Sequence, residues 1–600
     1  MIARYAFLFS LFMAAMHATY GQAYSELDIG DVRARFFSNG RVAGGPSTGS
    51  SQYEVPIGEL ATPLYAGGLW IGGQGTDGGL RVSSTLYDSF GTQHFFPGPL
   101  KLDGTTDAAN SLLYDQVWRV SRAEVDAHHA YFLCLNDPGC DPAIQYPNGY
   151  TIPLSFMGWP AIGDVAEGYD AYLAPFHDFN QDGNYNPADG DAPCIMGDQA
   201  LFSIFNDYLG NVNGNTGLGV EVHQMPFAFN SADPAIGQTV FVSYRLINRS
   251  TQTYTNTMLG FFNDFDIGCA TDDFIGCDPS RNLAYGYNWD NEDTGCLGQA
   301  GYGVQPPAFG MTLIKGPLVD ADGADDASTN TLPNWNGRGF GDGIIDNEHH
   351  GLSHFMYFNS SASPCCNDPA TSLQSFNYMR GIWKDGTPMS YGGSGYSTDP
   401  SALLCAFMFP GDGDAVGAGT GGQVQTPWSE TVQTPATPDR RGLMSMGAFT
   451  LEPGENMHLL FAYVYARATS GGPDASVEAL RTRVDSVLAF AETLPVWNAS
   501  EIQAFSNGCA DYTSVSVGEL QGTQQFAVFP VPVSDALHFQ APSGFAGGIF
   551  TLRDATGRTV LQQRIMPDRN TIDVSALAKG VYVCEAFARN ARFTGRIVKE

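Results

Sequence analysis

The fold of the carboxyl-terminal end is decided by short apolar runs, chiefly Gly548-Ile-Phe-Thr-Leu-Arg-Asp554, Thr559-Val-Leu-Gln-Gln563 and Gly580-Val-Tyr-Val583. They are flanked by Phe526-Ala-Val-Phe-Pro530 and Arg592-Phe-Thr-Gly-Arg-Ile-Val-Lys599. Val, Ile, Phe and Tyr fill these runs, and Gly, Asp, Asn and Pro separate them, which is the pattern of a β-sandwich. The sequence therefore predicts a small immunoglobulin-like β-sandwich module over residues 526–600.

The same segment resembles the type A C-terminal sorting domain of the type IX secretion system of Bacteroidota. The resemblance rests on an F-x-x-x-P-x-P opening (Phe526, Pro530, Pro532), an L-x-D-x-x-G-R turn (Leu552, Asp554, Gly557, Arg558), I-D-V-S-x-L-x-x-G-x-Y (572–582) and Lys599. Val531 stands where that family usually has Asn. The resemblance implies export through the periplasm by the type IX machinery, to the outer cell surface or the medium. The alternative is an unrelated immunoglobulin-like surface module.

Charge separates this module from the rest of the chain. Residues 526–600 contain nine Lys and Arg against six Asp and Glu, whereas the 600-residue chain has a formal net charge of −33. Such an asymmetry is typical of a domain boundary. We expect a body over residues 22–506, a polar linker over 507–525 and the sorting module over 526–600.

The acidic body excludes one class of partner and favours another. The chain has only five lysines, and its sequence pI is about 4.4. Nucleic-acid binding needs a basic face, so we expect no nucleic-acid partner. Abundant carboxylates suit divalent cations instead.

Residues 1–21 have the layout of a cleaved secretory signal peptide. Arg4 precedes an apolar run from Tyr5 to Ala15, and the small residues Ala18 and Gly21 follow. This apolar run is too short to span a membrane comfortably. No later segment approaches 18 uninterrupted apolar residues, so we expect no transmembrane segment in the mature chain.

The body is predicted to be mainly β, a large sandwich-like domain with one long helix near its end. The 71 glycines and 35 prolines of the whole chain indicate many turns, and short apolar runs in the body such as Tyr65–Gly73 alternate with Gly-rich segments. The helix is predicted over Ala475–Thr493 from apolar residues at helical intervals, with Asp474 as N-cap and Pro495 as the stop.

The strongest chemical signal is the loop 178–189, which fits D-x-N-x-D-G-x-x-N-x-x-D. Its spacing predicts a calcium site with six oxygen ligands: Asp178, Asn180, Asp182, Asn184 through its carbonyl, Asn186 and Asp189. The loop resembles the calcium loops of dockerin modules, although Pro187 argues against its continuing into a regular helix. A loop built from Asx turns without metal is the alternative.

Further acidic clusters lie at 264–278, 320–326 and 342–348. Each is either a secondary calcium site or a solvated acidic surface. The adjacent His349 and His350 would point to opposite faces of a strand, so they form a poor metal-binding pair.

The cysteines fit an oxidising compartment. Short loops lie between Cys134 and Cys140 and between Cys269 and Cys277, and a disulfide would close each of them. A disulfide between the adjacent Cys365 and Cys366 is expected to be strained. No C-x-x-C pair occurs, so a structural zinc site is not expected.

Two short motifs match a catalytic pattern and a nucleotide-binding pattern, but neither has the structural context that its pattern requires. G-x-S-x-G at 45–49 lacks a following helix, and G-x-G-x-x-G at 417–422 lacks a surrounding β-α-β unit. We interpret the first as a loop, and we do not expect the second to bind a nucleotide.

Residues 31–494 as a whole resemble a group of secreted proteins that share the sorting module and have no assigned activity. The shared blocks are 68–73, 96–100, the calcium loop with 197–200 and 205–207, 272–278, 439–441 and 449–454. This resemblance implies a coherent secreted body but no mechanism.

Three functions are weighed for the body. The favoured one is a calcium-stabilised, non-catalytic structural or binding module, whose partner would be a glycan or a surface protein. The second is a secreted glycan-active hydrolase using a carboxylate pair, which needs only two acids at a set separation. The third is a peptidase, for which no local catalytic signature is present.

Overall fold

The computed structural model describes residues 23–44, 52–87, 93–208, 211–212, 215–329, 334–360, 364–430, 439–494, 527–529, 533–540, 549–553, 559–565, 570–588 and 591–599. The chain divides into two compact units, residues 1–515 and 516–600. The predicted signal peptide, the 45–49 motif and the boundaries at 506 and 526 lie outside the described residues.

The body is built on two large antiparallel sheets. The first sheet has the spatial order Tyr24–Ile29, Val32–Phe37, Val42–Ala43, Ala66–Gly75, Tyr254–Asp264, Arg440–Leu451 and His354–Asn359. Tyr53–Glu54 pairs with its second strand and Leu80–Ser84 with its fourth. This arrangement confirms the mainly β, sandwich-like prediction.

The second sheet has the spatial order Asp273–Asp278, Leu283–Asn288, Ala308–Lys315, Asn456–Ala466, Thr239–Asn248, Val220–Ala228, Gln199–Asn206 and Phe96–Pro97. Trp118–Ser121 also pairs with Gln199–Asn206. Among the described residues of the body there are also three two-stranded sheets: Phe176–His177 with Ala192–Pro193, Asn211–Val212 with Asn215–Thr216, and Glu292–Asp293 with Gly303–Val304.

Aromatic side chains fill the space between the two sheets. The rings of Phe261 in the first sheet and Phe461 in the second are 4.1 Å apart between centroids. Tyr244 packs against both of them. Because successive strand residues face opposite sides, Phe262 faces outward and stacks with Trp70 and Phe358. The central strand is therefore apolar on both faces.

A short helix, Ser372–Met379, covers the outer face of the first sheet. It approaches closely because two strands present glycine to it: a Cβ on Gly72 would lie 2.8 Å from a ring carbon of Phe376. A Cβ on Gly260 would lie 3.2 Å from Cγ of Met379. The glycines of these strands therefore make room for the helix.

The long helix, Gly472–Ala491, packs on the outer face of the second sheet, which confirms the prediction of one long helix near the end of the body. Its N-cap is Gly471 in the left-handed region, not Asp474, and Pro473 lies in its first turn. Proline is well accommodated there because its missing N–H would have no helical partner. The buried side chains Val477, Leu480 and Val484 pack into a core with Ala462 and Phe241.

Shorter helices occur mainly in the segment from 108 to 157. The α-helices are Ala108–Leu113, Arg122–Asn136, Pro142–Gln145, Leu154–Met157 and Pro234–Gly237, and the 3₁₀ turns are Pro187–Asp189, Pro279–Arg281 and Ala418–Thr420. Arg122–Asn136 begins with a complete capping box between Ser121 and Glu124. Its buried residues include Val125 and Phe132.

The carboxyl-terminal unit is a two-sheet β-sandwich, as predicted. One sheet orders Ala527–Phe529, Ala536–Gln540 and Asn570–Asp573, and the other orders Thr559–Arg564, Ile549–Arg553, Gly580–Ala588 and Ala591–Lys599. The stacked rings of Phe539 and Phe550, 4.4 Å apart, join the two sheets.

The disulfides confirm one predicted pair and correct another. Cys134 is bonded to Cys140, as expected, and the adjacent Cys365 and Cys366 are bonded to each other. Cys269 is bonded to Cys296 and not to Cys277. Cys277 lies inside the strand Asp273–Asp278, where its buried thiol contacts the carbonyl of Met408. The Cys277 side chain is thus part of the hydrophobic core.

Within the described part of the chain, no helix combines the length and the apolar character needed to cross a membrane.

Replacing Leu480 by Ala should lower the free energy of unfolding of the body by about 2–5 kcal/mol, because it leaves a cavity under the long helix. Leu480 is fully buried, whereas Ser486 on the same helix is exposed. All eight tryptophans precede residue 500, so urea unfolding followed by tryptophan fluorescence reports on the body. Ser486→Ala is the control and should change stability by less than about 0.5 kcal/mol. Equal effects of the two variants would contradict this packing.

Candidate metal sites

The predicted calcium loop 178–189 connects two short paired strands, Phe176–His177 and Ala192–Pro193. At the end of the loop, Pro187–Asp189 forms a single 3₁₀ turn, which is capped by Gly190 in the left-handed region. The chain does not run into a regular α-helix here, in agreement with the expectation from Pro187.

Hydrogen bonds within the loop arrange its first three predicted ligands. The Asp178 carboxylate accepts the backbone N–H groups of Asp182 at 3.2 Å and Gly183 at 2.7 Å. Asn180 Oδ1 also accepts from the Asp182 N–H at 3.0 Å. The Asn184 N–H donates to Asp182 Oδ1 at 2.8 Å, and this bond contributes most to lowering the pKa of Asp182. The exposed Asp182 therefore stays ionised at neutral pH.

The last two predicted ligands lie together at the end of the loop. Asn186 Nδ2 donates to Asp189 Oδ2 at 2.6 Å. The carboxylates of Asp178, Asp182 and Asp189 are not all within 4.8 Å of one another. A cation that used all three would have to draw the loop inward.

Asp191, which the sequence pattern did not single out, anchors both ends of the loop. Its buried carboxylate accepts the N–H of Phe179 at 2.8 Å and that of Asn186 at 2.7 Å. Burial raises its pKa above the ordinary value, against the effect of these two hydrogen bonds. Asp191 lies two positions after the twelve-residue loop, so the metal-ligand pattern does not include it and sequence reasoning missed it.

The structure brings the acidic clusters 320–326 and 342–348 together. Asp346 accepts the N–H groups of Asp322 at 2.9 Å and Gly323 at 2.8 Å, and Glu348 accepts that of Asp326 at 2.7 Å. Desolvation and the neighbouring Asp322 and Glu348 raise the pKa of Asp326. The two clusters thus form one acidic surface, in which backbone N–H groups already occupy several carboxylate oxygens.

The cluster 264–278 separates into groups with different partners. Asp278 forms ion pairs with Arg281 at 2.8 Å and Arg481 at 3.1 Å. Asp264 and Asp266 instead meet Asp439, and one carboxylate oxygen of each lies within 4.8 Å of the other two. Asp439 follows Asp264 by 175 positions, and antiparallel pairing of Asp264 with Arg441 brings it there. The register of that pairing is not visible in the sequence, so sequence reasoning did not place Asp439 in this site.

The glycine run 417–422 contains the 3₁₀ turn Ala418–Thr420, and in the described part of the chain no β-α-β unit surrounds it. The Asp414 carboxylate accepts the N–H groups of Ala418 at 2.7 Å and Gly419 at 2.9 Å. An acid thus occupies the donors that a phosphate would need, and its charge would repel one.

One surface cavity, of about 330 Å³, bears on the hydrolase alternative. Glu26 and Glu54 line it, together with Arg33 and Tyr53. Glu26 is paired with Arg35 at 2.6 Å and Glu54 with Arg33 at 2.5 Å. Both carboxylates therefore already have a guanidinium partner.

Comparison with known proteins identifies one domain. Residues 527–600 match the family model described as a secretion system C-terminal sorting domain. No curated protein matches the chain. Among solved structures, a polysaccharide lyase matches at 7% sequence identity with a TM-score of 0.17. The match covers 63% of this chain but only 34% of that protein, so the chain spans about a third of its length.

The buried His350 should make the body sensitive to acid. Burial lowers its pKa to about 4, against a smaller opposing effect of Asp320, whereas an unfolded histidine has its ordinary pKa near 6.5. The stabilisation from its neutral form is complete above pH 6.5 and is lost as the pH falls towards 4, by about 3 kcal/mol.

His350→Leu should therefore show a shallower loss of unfolding free energy between pH 6.5 and 4 than the wild-type chain. Urea unfolding at each pH measures the slope, and the value at pH 7.5 separates any packing change from the titration. Parallel pH profiles for the two proteins would contradict the prediction.

Proposed function

We propose, from the sorting domain at residues 527–600, that the type IX machinery carries this protein to the outer cell surface or into the medium. The domain is then removed or used for anchoring. The body acts there as a calcium-stabilised structural or binding module. The single observation that carries this proposal is a matched sorting domain that also has the expected two-sheet sandwich fold.

The composition of the body supports a stabilising role for calcium. Its acidic loops, 178–189 among them, are exposed and contain few apolar side chains, so apolar burial contributes little to their order. A cation held by oxygen ligands would supply that order, since metal-binding free energy then adds to folding free energy. Extracellular calcium modules of this kind have dissociation constants of roughly 0.1–1 mM, so the site would fill outside the cell.

Deleting the sorting domain should stop export. A chain ending at Gln525 is expected to accumulate in the periplasm, because it lacks the segment that the machinery recognises. Fractionation of cells and medium, with the body detected by antibody, measures the distribution. A control chain with the single substitution His538→Gln in the module should be exported normally. Surface appearance of the truncated chain would refute the assignment.

Calcium should raise the melting temperature of the body through the loop 178–189. Asp182→Ala removes a carboxylate at the centre of the predicted ligand set and should reduce the difference between melting temperatures in calcium and in chelator. Glu167→Ala is the matched control, since it removes one exposed carboxylate outside the loop. If Asp182→Ala and Glu167→Ala respond to chelator equally, the loop does not bind calcium.

The hydrolase alternative is tested with the same proteins. Purified body is incubated with polysaccharides and peptides in calcium. On the proposal it shows no turnover. Hydrolysis that Asp182→Ala abolishes in still-folded protein would replace the structural role with a catalytic one.

A further inference from the structure

A group of three carboxylates lies in the first sheet, at the neighbouring ends of two adjacent strands. Asp264 is the last residue of Tyr254–Asp264, and Asp439 immediately precedes Arg440–Leu451. Asp266 lies two positions beyond the first of these strands. We propose that Asp264, Asp266 and Asp439 bind one calcium ion. This site is separate from the loop 178–189 and does not depend on the proposed function.

Asp266 is a buried acid that has no hydrogen-bond or ion-pair partner among the described residues. Only 4% of Asp266 is exposed, and among the described residues its carboxylate accepts no hydrogen bond and forms no ion pair. Its ligand oxygen nevertheless lies within 4.8 Å of those of Asp264 and Asp439. Burying an ionised carboxylate without compensation is strongly unfavourable. The side chain is thus directed into a cluster of like charge, where only a proton or a cation would compensate it.

Each neighbouring acid also has an oxygen that accepts no hydrogen bond from the described residues. Oδ1 of Asp264 and Oδ1 of Asp439 are buried and accept no hydrogen bond from the described residues. Their other oxygens are used: Asp264 Oδ2 accepts from Tyr87 Oη at 2.6 Å, and Asp439 Oδ2 accepts from Arg441 Nη2 at 2.7 Å. Each acid is therefore held through one oxygen, whereas its other oxygen accepts no hydrogen bond from the described part of the chain; that of Asp264 lies 3.7 Å from Arg441 Nε.

One arginine does not balance the charge. Arg441 Nη1 contacts Asp368 at 3.2 Å, Nη2 contacts Asp439 at 2.7 Å, and Nε lies 3.7 Å from Asp264. Its Nε also donates to Tyr87 Oη at 2.6 Å. The single positive charge of Arg441 is thus shared among the carboxylates of Asp264, Asp368 and Asp439, and Asp266 has no ion-pair partner among the described residues. Burial, followed by repulsion within the cluster, raises the pKa values of Asp264 and Asp266.

The chemistry and spacing favour calcium. Calcium takes oxygen ligands at 2.3–2.6 Å, so two oxygens on one ion lie at most about 5 Å apart. The three carboxylates meet that limit without rearrangement of the chain. Magnesium requires oxygens at 2.0–2.1 Å in near-ideal octahedral geometry and retains its water, which suits a buried cluster of this span less well.

The experiment measures binding to the purified full chain carrying Asp182→Ala, so that the loop 178–189 is disabled. Into this background Asp266→Asn is introduced, with Asp272→Asn as the matched control. Asp272 lies in the same acidic stretch but outside the three-carboxylate group. Calcium stoichiometry is measured by calorimetry after chelation. Terbium replaces calcium in a second assay, where the adjacent Tyr87 should sensitise its luminescence.

The Asp266→Asn protein should bind one calcium fewer than the Asp272→Asn protein and lose the corresponding terbium signal. In chelator, Asp266→Asn should melt at the same temperature as the background or higher, because it removes a buried charge. In calcium it should melt lower. A residue that was only structural would lower both temperatures.

Equal calcium stoichiometry and equal terbium luminescence in the two proteins would overturn the site. The site would also be overturned if calcium did not change the melting temperature of the Asp182→Ala background. In that case protons alone would neutralise the cluster. If Asp266→Asn fails to fold, Asp439→Asn replaces it with the same expected losses. Failure of the loop 178–189 is seen separately, as an unchanged response of Asp182→Ala in an otherwise native chain.

Discussion

The body depends on the apolar contact between its two large sheets. The contact is made by paired aromatic rings, with Phe261 against Phe461 at its centre. The central strand Tyr254–Asp264 is also covered on its outer face, where Phe262 stacks with Trp70 and Phe358. An acidic chain of this kind has to keep its carboxylates away from such layers. The carboxylates of every candidate cation site lie in loops or at strand ends.

The sequence predicted those features that local pattern determines. Alternating apolar runs and turn residues indicated strands, and apolar residues at helical spacing indicated the long helix. The start of that helix was misplaced because Gly471 in the left-handed region, with Pro473 in the first turn, begins it three residues before the predicted start at Ala475. Cys269 was paired wrongly because distance along the chain does not reveal that Cys277 belongs to a strand that faces the core.

The candidate sites also differ in whether a local stretch of sequence reveals them. The loop 178–189 is contiguous, so its ligand set can be predicted from spacing alone. The buried cluster joins Asp264 and Asp266 to Asp439 through the pairing of two strands, and no single stretch of sequence contains it. Asp191 illustrates an intermediate case, since it lies beside the loop but acts through backbone N–H groups and not as a recognisable ligand.

The order of strands has a consequence for how the body is made. Arg440–Leu451 pairs with the centre of the first sheet, and Asn456–Ala466 lies between Thr239–Asn248 and Ala308–Lys315 in the second. Neither sheet can be completed before nearly all of the body has been synthesised. Until then, unpaired strand edges and aromatic faces stay exposed, a condition that favours slow folding and aggregation. In a chain that carries a secretion sorting domain, this order of strands keeps the body incompletely folded until its last strands have been synthesised.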